Sequence, residues 1–368
     1  MRYPTMKPIL VTGALGQIGS ELVPALRERY GAAKVIASDI RMPPVEDLAA
    51  GGRFEFIDCT NQRQIQDVVR AHDIGTIYHL AALLSVTAEE KPHIAWQLNM
   101  DGLYHVLETA RSAGCKVFFP SSIGAFGPGT PQDHTPQDTI QRPNTMYGVT
   151  KVAGELLCDY YFRRFGVDAR GLRFPGLVSY VAPPGGGTTD YAVAIFYEAI
   201  LHGHYTCFLR PDTRLDMMYM PDAQRAILGL MEADPKRLRH RNAFNITAMQ
   251  LTPELLAAEI RKHLPGFEIE YKVDTVRQAI ADSWPHCMDD SAAREEWGWQ
   301  PTFGLADMTL DMLDKLRGKL LAHRAVSAPA VADPRAAAAP AAAAPAPAAA
   351  PAPAAAASAP AAAGNGGQ

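Results

Sequence analysis

The chain has 368 residues, of which 48% are hydrophobic and 20% charged, as is ordinary for a globular enzyme with a sizeable core. Its net charge of −4 leaves no basic surplus to neutralise a phosphate backbone, so we expect no nucleic-acid partner. The first residues lack the apolar core of a secretion signal, and no uninterrupted apolar run reaches the length of a membrane span, so we expect neither secretion nor a membrane.

The first half of the chain alternates between strand and helix patterns. Short apolar runs predict strands at residues 8–12, 34–39, 53–58, 76–80, 116–120 and 168–174. Apolar residues at helical spacing predict helices at residues 17–30, 62–72, 94–113 and 146–165. Strands that alternate with helices form a parallel sheet covered on both faces, and right-handed crossovers make it a doubly wound α/β fold of the Rossmann type.

The second half has a mixed pattern. It predicts helices at residues 190–202, 222–232 and 305–321, strands at residues 243–247 and 267–273, and a helix that begins at Thr252-Pro253-Glu254. We therefore divide the chain into a dinucleotide-binding domain (1–176) and a smaller, mainly substrate-binding lobe (177–324) with elements that return to the main sheet. Residues 325–368 are almost only Ala and Pro, which predicts a disordered tail.

The first predicted strand and helix are joined by a TGxxGxxG pattern. Gly13 would allow a tight turn, Gly16 a close approach of a pyrophosphate, and Gly19 close packing of helix and strand. Gln17 and Ile18 lie where free N–H groups of the helix N-terminus face a phosphate. In this strand–turn–helix context the pattern predicts a dinucleotide site.

Further cofactor contacts are expected at the ends of the next strands. Asp39 can bind both hydroxyls of an adenosine ribose and would repel a 2′-phosphate, so NAD is favoured over NADP, although Arg41 weakens this discrimination. Asp58 is either an adenine contact or the N-cap of the following helix. The end of the fourth strand suits close passage of a dinucleotide with the residues Leu80, Ala81 and Ala82.

A YxxxK pattern lies at the start of the helix predicted at residues 146–165. Tyr147 and Lys151 are one helical turn apart, so the ammonium would favour the phenolate, lower the pKa of the tyrosine and make it a general base. In isolation, a YxxxK pattern is as often a simple surface Tyr–Lys pair as a catalytic pair. Here Ser122 follows the fifth strand, at the carboxyl edge of the sheet where ligands bind, and this favours a catalytic site.

The order of TGxxGxxG, Asp39, HLAA, SSxxxFG and YxxxK resembles the extended short-chain dehydrogenase/reductase family over nearly all of residues 7–320. The resemblance implies NAD as cofactor, Tyr147 as catalytic acid/base, Lys151 as the residue that holds the nicotinamide ribose, and Ser122 as the hydrogen-bond partner of the reacting oxygen. It also implies that Asn99 supports Lys151. Phe174, at the end of the sixth strand, is assigned to the cofactor site.

Members of that family that act on sugar nucleotides usually carry an asparagine shortly after the sixth strand, and segment 173–180 has none. The glycines and hydroxyls of segment 183–191 can instead bind a small carboxylate. This loop and segment 283–285 resemble the short-chain type of L-threonine 3-dehydrogenase. The resemblance implies that Tyr147 takes the C3 hydroxyl proton and that C3 passes a hydride to NAD. Besides Ser122 and Tyr147, the implied substrate-binding residues are Ser85, Thr188, Thr189 and Trp284.

Simpler interpretations stay open for these four residues, since strand-end and helix-cap hydroxyls and a core tryptophan are common. Two rival functions also stay open: a sugar-nucleotide 4-epimerase or dehydratase of the same family, and a non-catalytic NAD-sensing or scaffold protein. The family further implies a homodimer or higher homo-oligomer, formed through the helices at residues 94–113 and 146–165.

The five cysteines are scattered through the chain without CxxC or Cys/His metal spacing. Their odd number in a long chain predicts free thiols in a reducing compartment, and we therefore expect a cytoplasmic protein without a metal site.

Overall fold

The computed structural model describes residues 6–43 and 52–327, and the remaining residues lie outside the description. The predicted disordered tail therefore falls outside it, except for residues 325–327, which belong to the last helix. The described residues up to Ala322 form one compact unit, and those from His323 onward belong to a second. The division of the first unit at residues 176 and 177 stays a prediction.

The main sheet confirms the predicted Rossmann-type fold. Its strands are β1 (Ile9–Thr12), β2 (Val35–Asp39), β3 (Arg53–Phe56), β4 (Thr76–His79), β5 (Lys116–Ser122), β6 (Ala169–Phe174) and β10 (Phe244–Asn245). They lie in the order β3-β2-β1-β4-β5-β6-β10, and all neighbouring pairs are parallel. The strand order reverses between β1 and β4, which is where such sheets bind ligands.

Helices cover both faces of this sheet. They are α1 (Gly19–Tyr30), α2 (Gln62–Ala71), α5 (Gly102–Ala113), α6 (Met146–Phe165) and α8 (Met220–Glu232). Ile9 and Val11 pack into the core that includes residues of α1 and α8, whereas Leu10 packs into the core that includes residues of α2, α5 and α6. Successive side chains of β1 thus enter opposite cores, as expected for a strand buried on both faces.

The second half adds two small sheets. Strands β7 (Gly176–Val178), β9 (Leu215–Tyr219) and β11 (Met249–Leu251) form one, and β8 (His204–Cys207) pairs with β12 (Glu268–Tyr271) in the other. Around them lie α7 (Tyr191–Leu201), α9 (Pro253–His263), α10 (Thr275–Asp282), α11 (Ser291–Trp297) and α12 (Leu305–Ser327). Thr252 caps α9 as predicted, because its hydroxyl accepts a hydrogen bond of 3.1 Å from the N–H of Leu255.

The prediction of one continuous helix at residues 94–113 is wrong. Instead of a continuous helix at residues 94–113, the structure has α4 (Pro92–Trp96), a π-helical segment (Gln97–Asp101) and α5, preceded by the unpredicted α3 (Ser85–Glu90). The wider π turn buries Asn99, and such turns are often found at functional sites. Strand β5 is longer than predicted and ends at Ser122.

Candidate active site

The glycine turn between β1 and α1 has the geometry that the sequence predicted. Gly13 has φ +69°, and a Cβ there would lie 2.6 Å from the backbone nitrogen of Ala81. A Cβ on Gly19 would lie 2.5 Å from the carbonyl oxygen of Gly13, whereas a Cβ on Gly16 would meet only that oxygen, at 3.3 Å. The protein's own packing therefore explains Gly13 and Gly19, and the turn keeps an open side at Gly16.

The N-terminus of α1 next to this turn is ready for an anion. Its N-cap is Ile18, which provides no side-chain hydrogen bond to the first turn. A helix start without a side-chain cap and the positive end of the helix dipole together suit a phosphate group.

Two cavities open to solvent extend from the turn in opposite directions. One, of about 970 Å³, runs to Tyr147 and Trp284, and the other, of about 1240 Å³, runs to Asp39 and Arg41. We name them the nicotinamide-side cavity and the adenosine-side cavity after the halves of NAD that are predicted to lie there. They share the wall residues Gly13, Gly16, Gln17, Leu80, Ala82 and Leu84. Two cavities joined at an anion-binding turn fit the two halves of a dinucleotide.

Most of the predicted cofactor residues lie in these walls. Ile18, Gly19, Lys151 and Phe174 line the nicotinamide-side cavity, and Asp39 and Ala81 line the adenosine-side cavity. Asp58 and Asn99 do not belong to either set of wall residues.

Asp39 is buried at the end of β2. Its carboxylate accepts hydrogen bonds from the backbone of Leu15 (3.1 Å) and Arg41 (3.1 Å) and from the Arg41 guanidinium (3.0 Å). Burial raises the pKa of Asp39, but these hydrogen bonds outweigh it and the pKa falls below its usual value. The carboxylate is therefore ionised and holds both the glycine turn and Arg41.

Asp58 is exposed, and its carboxylate accepts hydrogen bonds from the backbone (2.9 Å) and hydroxyl (2.7 Å) of Thr60. The N-cap of α2 is Asn61, so the alternative that Asp58 caps this helix is wrong. Its neighbours Ile57 and Cys59 line the adenosine-side cavity. A contact from Asp58 itself to adenine stays a prediction.

Tyr147, Lys151 and Ser122 come together at the carboxyl end of β5. The Lys151 ammonium lies 5.3 Å from the centre of the Tyr147 ring and donates a hydrogen bond of 2.7 Å to the carbonyl oxygen of Pro120. Burial lowers the pKa of Lys151 to about 8, although the carboxylate of Glu155 opposes the shift.

The expected lowering of the tyrosine pKa is not what the structure gives. Burial raises the pKa of Tyr147, and only its hydrogen bond with the Ser122 hydroxyl opposes this. The reason is that burial disfavours the phenolate, the charged form.

Asn99 has another set of contacts than expected. Its side chain accepts a hydrogen bond from the Leu83 N–H (2.8 Å) and donates to the Leu83 carbonyl and the Thr150 hydroxyl (3.2 Å each). Its link to Lys151 thus runs through Thr150, the preceding residue of α6, rather than through a bond to the lysine itself. The same bonds fix the chain at Leu83, next to the cavity residue Leu84.

The four predicted substrate residues all line the nicotinamide-side cavity. The hydroxyls of Ser85 and Thr188 lie 3.2 Å apart, and the Thr188 N–H donates to Ser85. Trp284 is 5% exposed, and its indole nitrogen has no hydrogen-bond partner among the described residues. A buried N–H donor in the wall of a cavity suits an anionic or carbonyl group of a ligand.

The glycine-rich loop has an anchor at each end that the sequence analysis missed. Asp190, a wall residue, accepts hydrogen bonds of 2.8 Å from the N–H groups of Gly186 and Gly187. Lys319 of α12 donates to the carbonyl oxygens of Tyr180 (3.2 Å) and Val181 (2.7 Å). The pattern of an acidic residue three positions after glycine at a helix start could have indicated Asp190, but no local signal marks Lys319.

Neither a metal centre nor a membrane span is found within residues 6–43 and 52–327. In this part of the chain, no group of three or more His, Cys, Asp or Glu side chains is placed to hold a metal ion. None of the helices described there is long and apolar enough to cross a membrane.

Comparison with known proteins decides the family. Residues 9–247 match the model of the NAD-dependent epimerase/dehydratase family. The chain belongs to this family. It is thus an extended short-chain dehydrogenase/reductase.

Similar members of the family include solved enzymes. The structure of L-threonine dehydrogenase from Clostridium difficile is 56% identical, with a TM-score of 0.83 over 86% of this chain and 99% of that one. A monomeric L-threonine 3-dehydrogenase from a metagenome is 46% identical, with a TM-score of 0.81 over 84% and 99%. A curated Staphylococcus haemolyticus protein, described as an uncharacterized epimerase/dehydratase, is 55% identical over 85% of this chain and 99% of its own length.

Proposed function

We propose that this protein is an NAD⁺-dependent L-threonine 3-dehydrogenase that oxidises the C3 hydroxyl of L-threonine to give L-2-amino-3-oxobutanoate. The observation that carries the proposal is a single cavity lined by Tyr147, Ser122, Ser85, Thr188 and Trp284. The chain is also 56% identical to an L-threonine dehydrogenase over nearly the whole of that enzyme, which supports L-threonine as the substrate.

The cofactor proposal is based on the two cavities and the turn between them. The uncapped start of α1 and the open side of Gly16 would hold the pyrophosphate. Asp39 would bind the adenosine ribose, and its ionised carboxylate favours NAD⁺ over NADP⁺. Arg41, which alone would attract a 2′-phosphate, is paired with Asp39. NAD⁺, when bound, supplies the acceptor for the hydride.

Three residues of the chain would carry out the other steps of the reaction. Tyr147 removes the proton of the C3 hydroxyl, and general acid–base catalysis of this kind contributes roughly 10²–10⁴-fold to a rate. The Ser122 hydroxyl, already bonded to Tyr147, holds the reacting oxygen while its charge changes. The Lys151 cation would hold the nicotinamide ribose.

Other polar groups in the wall of the same cavity would bind the amino acid. The Ser85, Thr188 and Thr189 hydroxyls and the indole N–H of Trp284 are donors of the right kind for a carboxylate. These groups suit a small polar substrate better than a sugar nucleotide.

The test is NADH formation by the full chain with L-threonine, L-allo-threonine or L-serine. Conversion of UDP-galactose to UDP-glucose, which forms no net NADH, is measured separately by chromatography. We expect saturable turnover with L-threonine, much weaker turnover with L-allo-threonine and L-serine, and a strong preference for NAD⁺ over NADP⁺. Epimerisation of UDP-galactose without oxidation of L-threonine would instead identify a sugar-nucleotide enzyme. Binding of NAD⁺ with no turnover of any substrate would favour the non-catalytic alternative.

We further infer a cytoplasmic homo-oligomer. The cysteines Cys59, Cys115, Cys158, Cys207 and Cys287 are all free and buried, as suits a reducing compartment. The outer face of α6 exposes Val149 (40%), Leu156 (63%) and Tyr160 (54%), and α5 exposes Tyr104 (48%). An apolar stripe on the outside of a helix pair is typical of a protein–protein contact.

A further inference from the structure

One face of α6 carries three polar residues near the end of β5. Tyr147, Lys151 and Glu155 follow each other at intervals of four residues, so they share this face. The hydroxyl of Ser122 acts on Tyr147 and lowers its pKa, and Lys151 donates a hydrogen bond to the carbonyl of Pro120. Glu155 accepts a hydrogen bond from the hydroxyl of Ser121, which lies between them.

Glu155 is 4% exposed and has a full set of partners. Its carboxylate accepts two parallel hydrogen bonds from the guanidinium of Arg173, of 2.8 and 3.1 Å, and one of 2.9 Å from the amide of Gln141. Arg173 in turn donates to the carbonyl of Gln137 (2.8 Å) and the side chain of Asn245 (3.1 Å). The position of Glu155 is thus fixed from β6, β10 and the segment before α6.

We propose that Glu155 is a positioning residue of the active site: its buried negative charge keeps Lys151 protonated, and its bond to Ser121 keeps Ser122 directed at Tyr147. This inference rests on the proposed function, in which Lys151 is the cation of the reaction. It gives the Glu155–Arg173 pair a role beyond packing.

The groups around Lys151 explain why this charge matters. From α6, Tyr147, Glu155 and Cys158 face it; from β4, His79 does; and from β6, Arg173 reaches it through Glu155. Burial raises the pKa of Cys158 and lowers that of His79 to about 3, so both are neutral. Among the described groups that act on Lys151, Glu155 is the one that carries a negative charge.

Removal of this charge has a predictable sign. Burial already lowers the pKa of Lys151 to about 8, and Glu155 opposes that shift. A neutral side chain at 155 would remove the opposition and leave the Arg173 cation uncompensated. Both changes disfavour a second positive charge, so Lys151 would lose its proton at a lower pH.

The test compares Glu155→Gln with Glu155→Asp, which keeps the charge, and with Glu296→Gln as a matched control. Glu296 is also buried, at 3% exposed, and pairs with Arg239 and His240 away from both cavities. Two quantities are measured against pH for each full-length variant: the dissociation constant for NAD⁺, from tryptophan fluorescence, and kcat with L-threonine.

We expect NAD⁺ affinity and kcat to fall above about pH 8 in the wild type, and to fall at a pH lower by about one unit in Glu155→Gln. Glu155→Asp and Glu296→Gln should keep the wild-type profile, even if Glu296→Gln lowers the melting temperature. A wild-type profile in Glu155→Gln, or equal displacement in Glu155→Asp, would overturn the proposal.

A second variant covers the case in which Glu155→Gln does not fold because Arg173 is left unpaired. The double change Glu155→Gln with Arg173→Met removes both charges, and we expect the same displacement of the profile towards lower pH. An unmoved profile there would equally overturn the role of Glu155. If L-threonine is not a substrate, the proposed function fails, but the NAD⁺-binding profile still tests Glu155.

Discussion

The phenol of Tyr147 lies in surroundings that oppose its ionisation. It is buried and bonded to Ser122, and burial raises its pKa. Lys151 lies beside its ring, and the positive nicotinamide of bound NAD⁺ would be a second cation. In the proposed function, where Tyr147 is the base, oxidation should therefore require NAD⁺ to be bound before the proton is lost.

Replacement of Tyr147 by Phe removes the proton acceptor and little volume. We expect kcat with L-threonine to fall by at least about 100-fold, because general acid–base catalysis is lost, while the dissociation constant for NAD⁺ stays within about twofold. Initial rates and calorimetric titration check the two quantities. Tyr271→Phe, which removes a hydroxyl bonded to Glu254 on the surface, should change neither. Full turnover by Tyr147→Phe would show that another group is the base.

At this scale, the sequence indicated residues whose role follows from local spacing. The glycine turn, the Tyr147–Lys151 pair and Ser122 belong to contiguous motifs, and all lie in the wall of the site. Glu155 could not be identified, because its partners Arg173 and Gln141 come from distant segments that only the fold brings together. The direction of the Tyr147 pKa was wrong because the sequence shows the nearby charge but not the degree of burial.

Strand β9 shows why some elements escaped prediction. Its residues Leu215–Tyr219 are all buried, but Asp216 interrupts the apolar run. The carboxylate is accommodated by the Thr247 hydroxyl (2.7 Å) and the N–H of Met288 (3.0 Å), which lie far away in the sequence. Asp216 thereby joins β9 to the segments that follow β10 and precede α11. Short strands such as β7 and β8 give a similarly weak pattern, whereas α6 was predicted with its observed bounds.

Asp216 makes the stability of this region depend on pH. Burial raises its pKa to about 7, so the folded protein holds a proton there that the unfolded chain has released. The stabilisation is fully present below the ordinary aspartate pKa of about 4 and is lost as the pH rises through about 7. We therefore expect the free energy of unfolding of Asp216→Asn, relative to that of the wild type, to increase as the pH rises from about 5 to about 8. The increase should be on the order of 2 kcal/mol.

Urea unfolding at the two pH values measures this difference. Asp212→Asn, at an exposed carboxylate in the preceding loop, serves as the control and should give the same difference from the wild type at both. Parallel pH curves for Asp216→Asn and the wild type would contradict a raised pKa at Asp216.

On the scale of the whole molecule, the exposed apolar stripe belongs mainly to α6, the helix that also carries Tyr147 and Lys151. A partner packed on Leu156 would therefore support α6 from its outer side. The similar metagenomic enzyme is monomeric, so the proposed dimer of this chain needs a test of its own.

Leu156→Glu tests the assembly, because a charge placed in an apolar contact opposes association. Light scattering after size exclusion should give a dimer for the wild type and a monomer for Leu156→Glu, with unchanged affinity for NAD⁺. Leu255→Glu, at a leucine of α9 that is 53% exposed, should remain a dimer. A monomeric wild type would show that the stripe is not a subunit interface.

The anchor at Lys319 has a practical consequence for trimming this protein. The family match ends at residue 247, so a shortened gene could be designed to end soon after that residue or within α12. The ammonium of Lys319 holds Tyr180 and Val181, directly before the residues 182–185 that wall the adenosine-side cavity. A stop codon within α12, just before position 319, would remove these two hydrogen bonds while sparing every sequence motif. A shortened chain must therefore extend past Lys319 to keep the wall of the adenosine-side cavity intact.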